Sequence, residues 1–166
     1  KEKVKLIMSQ GIDVYVGRTL FEAFYARGQQ RDFEKYIAGM GVNTIEVSDG
    51  SISLPHDTKC EIIHQFAKNY KVLSEVGSKE EGILISPSKW IKMMQKELEA
   101  GSWKVIAEAR DSGTVGIYRP SGQAHVMLIN RIIKNVKVEN IIWEAPKKAQ
   151  QAYFIKQFGA NVNLGN

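Results

Sequence analysis

Short apolar runs rich in β-branched residues recur along the 166-residue chain, and longer amphipathic stretches separate them. The runs fall at Ile12–Val16, Thr44–Val47, Val72–Val76, Lys104–Ala109, Ile141–Ala145 and Asn161–Leu164. Each is apolar at nearly every position rather than at alternate ones, the pattern of strands covered on both faces in a parallel sheet. Between them the apolar residues recur at helical spacing. Leu20–Ala38 carries Leu20, Phe21, Phe24, Tyr25, Phe33, Tyr36 and Ile37, with Gly39 and Gly41 as stop signals. Pro55–Tyr70 opens on proline and carries Ile62, Ile63, Phe66 and Ala67; Ser88–Ala100 has Ser88 as a candidate N-cap and Gly101 as its stop. Val126–Val136 and Lys147–Phe158 complete the predicted helices. Strands alternating with helices through right-handed crossovers give a parallel sheet with every carboxyl end on one rim.

Four glutamates occupy the same place in successive units. Glu46, Glu75, Glu108 and Glu144 each sit near the end of an apolar run. The spacing is 29 residues from Glu46 to Glu75, 33 on to Glu108 and 36 on to Glu144, about one βα unit each time. One strand-end glutamate is an ordinary solubility device. Four at one register place carboxylates where charge is costly to bury, so the pattern points to a shared acidic site on the rim.

Composition narrows the function classes. Hydrophobic content of 43% and charged content of 25% are those of an ordinary folded chain, and 1–166 reads as one domain. The net charge of +5 favours anionic ligands, but the basic residues are scattered, and no basic stripe with interleaved aromatics marks a nucleic-acid surface. No apolar run is long enough for a membrane span, and the Lys-rich start lacks an apolar signal segment, so a cytoplasmic protein is expected. The single cysteine, Cys60, allows neither an intramolecular disulfide nor a thiolate metal site. His56, His64 and His125 fit no metal-ligand spacing, and Trp90, Trp103 and Trp143 read as core.

The segments around these glutamates resemble the phosphosulfolactate synthase family. The resemblance is carried by Gly17-Arg18-Thr19-Leu20-Phe21-Glu22, Ile45-Glu46-Val47-Ser48-Asp49-Gly50-Ser51-Ile52, Val72-Leu73-Ser74-Glu75-Val76-Gly77 and Trp103 to Arg110. Glu139 to Pro146 and Asn161 to Asn166 extend it over nearly the whole chain. The resemblance implies an α/β fold, a TIM (β/α)8 barrel represented here by about six βα units. Nothing before Lys1 supplies the earlier strand of the family, and the eighth unit is absent, so a longer protein is expected. It also implies a Mg2+-dependent lyase that adds sulfite to phosphoenolpyruvate to give (2R)-3-phosphosulfolactate, a step of coenzyme M biosynthesis; bacterial relatives point to sulfolactate, and a plant branch is associated with heat stress. Arg18 departs from the family's Gly-Gly pair at that turn.

That reaction assigns roles to particular side chains. Negative charge builds on the substrate carboxylate as sulfite adds, and a divalent ion held by carboxylates would offset it. Glu75 and Glu108 lead as Mg2+ ligands, followed by Asp49 and Glu46, while Glu144 ligates or orients a ligand. Lys79 is a candidate general acid or an exposed loop lysine. Arg110 suits phosphate or sulfite oxygens, or pairs with a rim glutamate. Thr19, Ser48, Asn163 and Gly165 are expected substrate contacts, with Asn166 beside the last two. Rival readings keep the barrel but change the nucleophile, or make the chain a non-catalytic stress-associated relative. The first is open on residue grounds; against the second stand the four glutamates and Arg110, and for it stands Arg18. A homo-oligomer is compatible with all of these.

Overall fold

A computed structural model describes residues 1–17, 19–77 and 85–165. Along the chain come α1 (Glu2–Met8), β1 (Tyr15–Val16), α2 (Thr19–Tyr25), α3 (Gln30–Met40), β2 (Thr44–Val47), α4 (His56–Phe66) and β3 (Lys71–Val76). Then follow α5 (Pro87–Glu99), β4 (Lys104–Ala107), α6 (Val126–Ile133), a 3-10 turn at Val138–Asn140, β5 (Ile141–Glu144), α7 (Lys148–Phe158) and β6 (Leu164–Gly165). The six strands pair in chain order, all parallel.

The sheet is curled. Six flat strands would set the two edges about 24 Å apart. Instead Tyr15 and Gly17 at one edge and Gly165 at the other line a single cavity of about 230 Å³, with Glu46, Ile106, Ile142 and Glu144 between them. The result is a six-stranded βα half-barrel whose concave face is the interior.

Register decides which residues face that interior. Glu46 pairs with Leu73, Glu75 with Ile106, Ile106 with Ile142, and Glu144 with Gly165. Side chains alternate along each strand, so these positions share the concave face and Val47, Val72, Val105, Ile141 and Trp143 turn outward to the helices. Two apolar clusters cover that outer face. Phe33 is 1% exposed against Phe21 and Phe66, ring centroids 5.6 and 5.7 Å away, beneath the first strands. Trp143 stacks on Phe154 at 4.9 Å beneath the later ones.

Several boundaries differ from the apolar pattern. The stretch predicted as one helix over Leu20–Ala38 is two, because Gly28 takes a left-handed φ of 66° and ends α2 in a turn. Ser86 rather than Ser88 caps α5, its hydroxyl accepting from the Lys89 N–H. The strand expected over Asn161–Leu164 begins later, at Leu164. Trp103, expected in the core, is half exposed with the Lys71 and Lys104 ammoniums 4.4 and 4.7 Å from its ring. The charge-rich helix α1 carries no buried residue, so no apolar stripe announced it.

Phe33→Ala is expected to cost about 3–5 kcal/mol, because the site is enclosed by other rings and collapses poorly. Urea denaturation should show a lower midpoint with an unchanged slope. A loss below about 1 kcal/mol would mean the aromatic cluster is not a packed core.

Candidate functional site

Three of the four strand-end glutamates meet. Carboxylate oxygens of Glu75, Glu108 and Glu144 all lie within 4.8 Å of one another at the carboxyl rim of β3, β4 and β5. Parallel register explains the meeting: Glu108 stands two residues past Ile106, the partner of both Glu75 and Ile142, and Glu144 two residues past Ile142. Glu46 also points inward but one layer deeper, in the cavity with Gly17. Three are buried, Glu46 at 4% exposed, Glu75 at 5% and Glu108 at 2%, and Glu144 is half-buried.

Backbone amides hold two of these carboxylates. The Ala109 N–H donates to Glu144 Oε2 at 2.7 Å, and the Arg110 N–H donates to Glu108 Oε1 at 2.6 Å. Arg110 itself adopts a left-handed φ of 56°, rare outside glycine, and turns the chain immediately after these two amides. The loop after β4 folds back over the rim. Ile117 N–H donates to the Glu108 carbonyl, and Tyr118 Oη donates to the Glu144 carbonyl at 2.7 Å. Burial and the nearby Glu144 charge push the Tyr118 hydroxyl pKa up, so it stays a donor. Gly116 permits the fold-back: a Cβ there would stand 1.9 Å from the Glu108 carbonyl oxygen. Gln150 fastens the same loop to α7, its amide donating to the Gly113 and Gly122 carbonyls at 2.9 and 3.0 Å.

The other expected site residues are distributed as follows. Arg110 is exposed at the rim beside the cluster. Thr19 opens α2 and is exposed. Gly165 lines the cavity with Glu46 and Glu144. Asn163 is not at the rim: because β6 starts late, its amide donates to the Glu139 and Ile141 carbonyls at the amino end of β5. Lys79, like Arg18 and Asn166, lies outside the described residues.

Ser48 and Asp49 are engaged by charges that sequence reading passed over. The buried Glu22 of α2 accepts from the Ser48 hydroxyl at 2.6 Å and from the Ser51 N–H at 2.8 Å. An anion of the protein's own thus occupies the Ser48 hydroxyl, which had been expected to contact substrate. Asp49 pairs with Lys59 at 2.9 Å rather than joining the carboxylate cluster. Lys59 is fully buried and also pairs with Glu97 at 3.0 Å; His56 Nε2 lies 3.1 Å from the same Glu97 oxygen. Burial would push the Lys59 ammonium down, yet Glu97 and Asp49 hold it above its ordinary 10.5. Burial would raise Glu97, yet Lys59 and His56 hold it below its ordinary 4.5. The signal was present: Lys59 shares a buried stripe with Ile63 and Phe66, as Glu97 does with Trp90 and Met94.

Carboxylates gathered at the carboxyl rim of a parallel βα half-barrel define the class: a barrel-type protein with an acidic, interior rim site. The (2R)-phospho-3-sulfolactate synthase (ComA) family model matches residues 1–166, and the chain belongs to that family. Phosphosulfolactate synthase of Methanothermobacter thermautotrophicus is 36% identical over 170 residues, covering 100% of this chain and 66% of the relative. That of Bacillus subtilis is 36% identical over 169 residues, covering 67% of the relative, and that of Methanocaldococcus jannaschii 35% over 170, covering 68%. The chain spans about two thirds of the length of these curated relatives. Among the described residues no helix is long and apolar enough to cross a membrane.

Gly116→Ala should force the rim loop off Glu108 and add roughly 1–3 kcal/mol of backbone strain, read as a lower thermal midpoint. The buried pair gives a pH dependence with a definite sign. Glu97 is held below 4.5, so its contribution is complete above that value and is lost as pH falls through the lower folded value. Lys59, held above 10.5, loses its contribution only as pH rises past its folded value. Urea titrations from about pH 6 to about pH 3 should therefore show wild type losing more stability than Lys59→Met/Glu97→Leu. Parallel losses would remove the pair as the cause.

Proposed function

We propose that this chain is the rim-site portion of a Mg2+-dependent lyase that adds sulfite to phosphoenolpyruvate, giving (2R)-phospho-3-sulfolactate. The observation carrying this reading is the convergence of Glu75, Glu108 and Glu144 within 4.8 Å. Three carboxylate oxygens from fixed strands suit a hard divalent cation that takes oxygen ligands. These three would hold Mg2+, which when bound supplies positive charge against the electron density gathering on the substrate carboxylate.

The rest of the chemistry falls to the chain's own groups. A sulfur–carbon bond forms at the methylene carbon, and the double-bond electrons move toward the carboxylate. The neighbouring carbon, still bearing its phosphate, must then receive a proton. The family's name puts the sulfo group on carbon 3, so the phosphate stays on carbon 2, which replaces the 3-phospho product expected from the sequence. Arg110, exposed at the rim, offers a planar fork for phosphate or sulfite oxygens. Lys79, two residues after Gly77 at the end of β3, is the candidate proton donor. The loop closed over Glu108 by Ile117 and Tyr118 limits water at the carboxylates. The reading extends the half-barrel to an eight-stranded one, for which the length of the relatives leaves room, and sets the enzyme in the cytoplasm, with which the free Cys60 thiol agrees.

The test is to incubate full-length protein with phosphoenolpyruvate, sulfite and Mg2+ and to follow phosphosulfolactate by mass spectrometry. Glu108→Gln should lower turnover by about 10²–10³ with a nearly unchanged thermal midpoint. Folded, Mg2+-supplied wild type that makes no product would sink the reading.

A further inference from the structure

We propose that Lys59 is a positioning residue for the carboxylate cluster, acting from the helix layer behind β3. The inference rests on the divalent-cation reading of Glu75, Glu108 and Glu144 and deepens it.

The last paired residues of β2 and β3 are Val47 and Ser74. Carbonyls of Val72 and Val76 face β4, accepting from the Trp103 and Glu108 N–H groups. Strand alternation therefore turns the Glu75 carbonyl toward β2, just past its last paired residue Val47. The Lys59 ammonium fills that place and donates to the Glu75 carbonyl. The same nitrogen pairs with Asp49 at 2.9 Å, in the turn by which β2 leaves. One fully buried group thus ties the backbone of Glu75 to the turn after the neighbouring strand, from outside the barrel.

Glu22 fastens that turn from α2, through Ser48 and Ser51. The turn is held at both ends, and Glu75 is held with it. A carboxylate that must meet two others within 4.8 Å depends on where its own backbone stands. A metal site loosened by about an ångström binds poorly even with all ligands present. Glu97 has a different part: it neutralises Lys59 in the helix layer, pairing at 3.0 Å, and is held there by His56 and the Ser74 hydroxyl as well.

This division separates a positioning role from general support of the fold. The measurement is Mn2+ binding to full-length protein by electron paramagnetic resonance, beside the thermal midpoint of each variant. Lys59→Met alone leaves a buried Glu97 carboxylate uncompensated and is prone to unfold, so Lys59→Met/Glu97→Leu is the decisive variant. It is expected to stay folded and to bind Mn2+ at least tenfold more weakly than wild type. Glu97→Gln, which keeps Lys59 on Asp49 and Glu75, is expected to bind within about twofold of wild type. A folded double variant with wild-type affinity overturns the inference and leaves the metal reading standing. Equal losses in Glu97→Gln and the double variant overturn it too, since the effect would then follow core damage. Wild type that binds no Mn2+ overturns the metal reading, and this inference with it.

Discussion

Carboxylates crowded into the interior of a sheet repel one another, and the rest of this structure depends on how that repulsion is offset. Three oxygens within 4.8 Å would be driven apart in water-poor surroundings without donors aimed at them. Two consecutive amides at the end of β4 supply part of the offset, and the chain turns through a left-handed Arg110 directly after them. The close approach of the rim loop at Gly116 and its fastening by Tyr118 and Gln150 follow from that turn, because the chain must double back immediately after it.

A second offset lies outside the barrel. Lys59 puts a positive charge behind the strand that carries Glu75, in the helix layer beside the buried Glu97. Buried ion pairs contribute little net stability relative to apolar groups of the same shape. Their value here is geometric. An ammonium with three donors can satisfy a carbonyl and two carboxylates at once, which no apolar residue does.

The meeting of the glutamates was legible in the sequence because parallel strands read as continuous apolar runs, in which one acidic residue per run stands out at a fixed register. The membership of the cluster was less legible. Asp49 lies a few residues from Glu46 and carries the same charge, but it falls past the end of β2, where the chain has turned toward α4 and Lys59. Asn163 was misplaced for a related reason: the apolar run Asn161–Leu164 marks the approach to β6 rather than the strand, and a shift of a few residues moves a side chain from one end of the barrel to the other. Lys59 and Glu97 were visible as charges on apolar helical stripes, but each makes sense only with the other, and no local pattern links α4 to α5. The break at Gly28 was hidden because Phe24 and Phe33 both pack into one cluster, so apolar spacing runs on across it.

The outer face of the sheet holds two oily territories. One gathers Phe33, Ile63 and Phe66 with Val72; the other gathers Trp90, Met94 and Trp143 with Val76. The border runs up β3, and on the helix side it is a hydrophilic seam where Lys59 and His56 of α4 meet Glu97 of α5 and Asp57 meets Lys96. The strand carrying Glu46 backs onto one territory, those carrying Glu108 and Glu144 back onto the other, and Glu75 is carried by the border strand itself. Any shift of α4 against α5 along that seam would be felt by the strand between the acidic residues, so the spacing at the mouth of the barrel depends on the packing of its own outer wall.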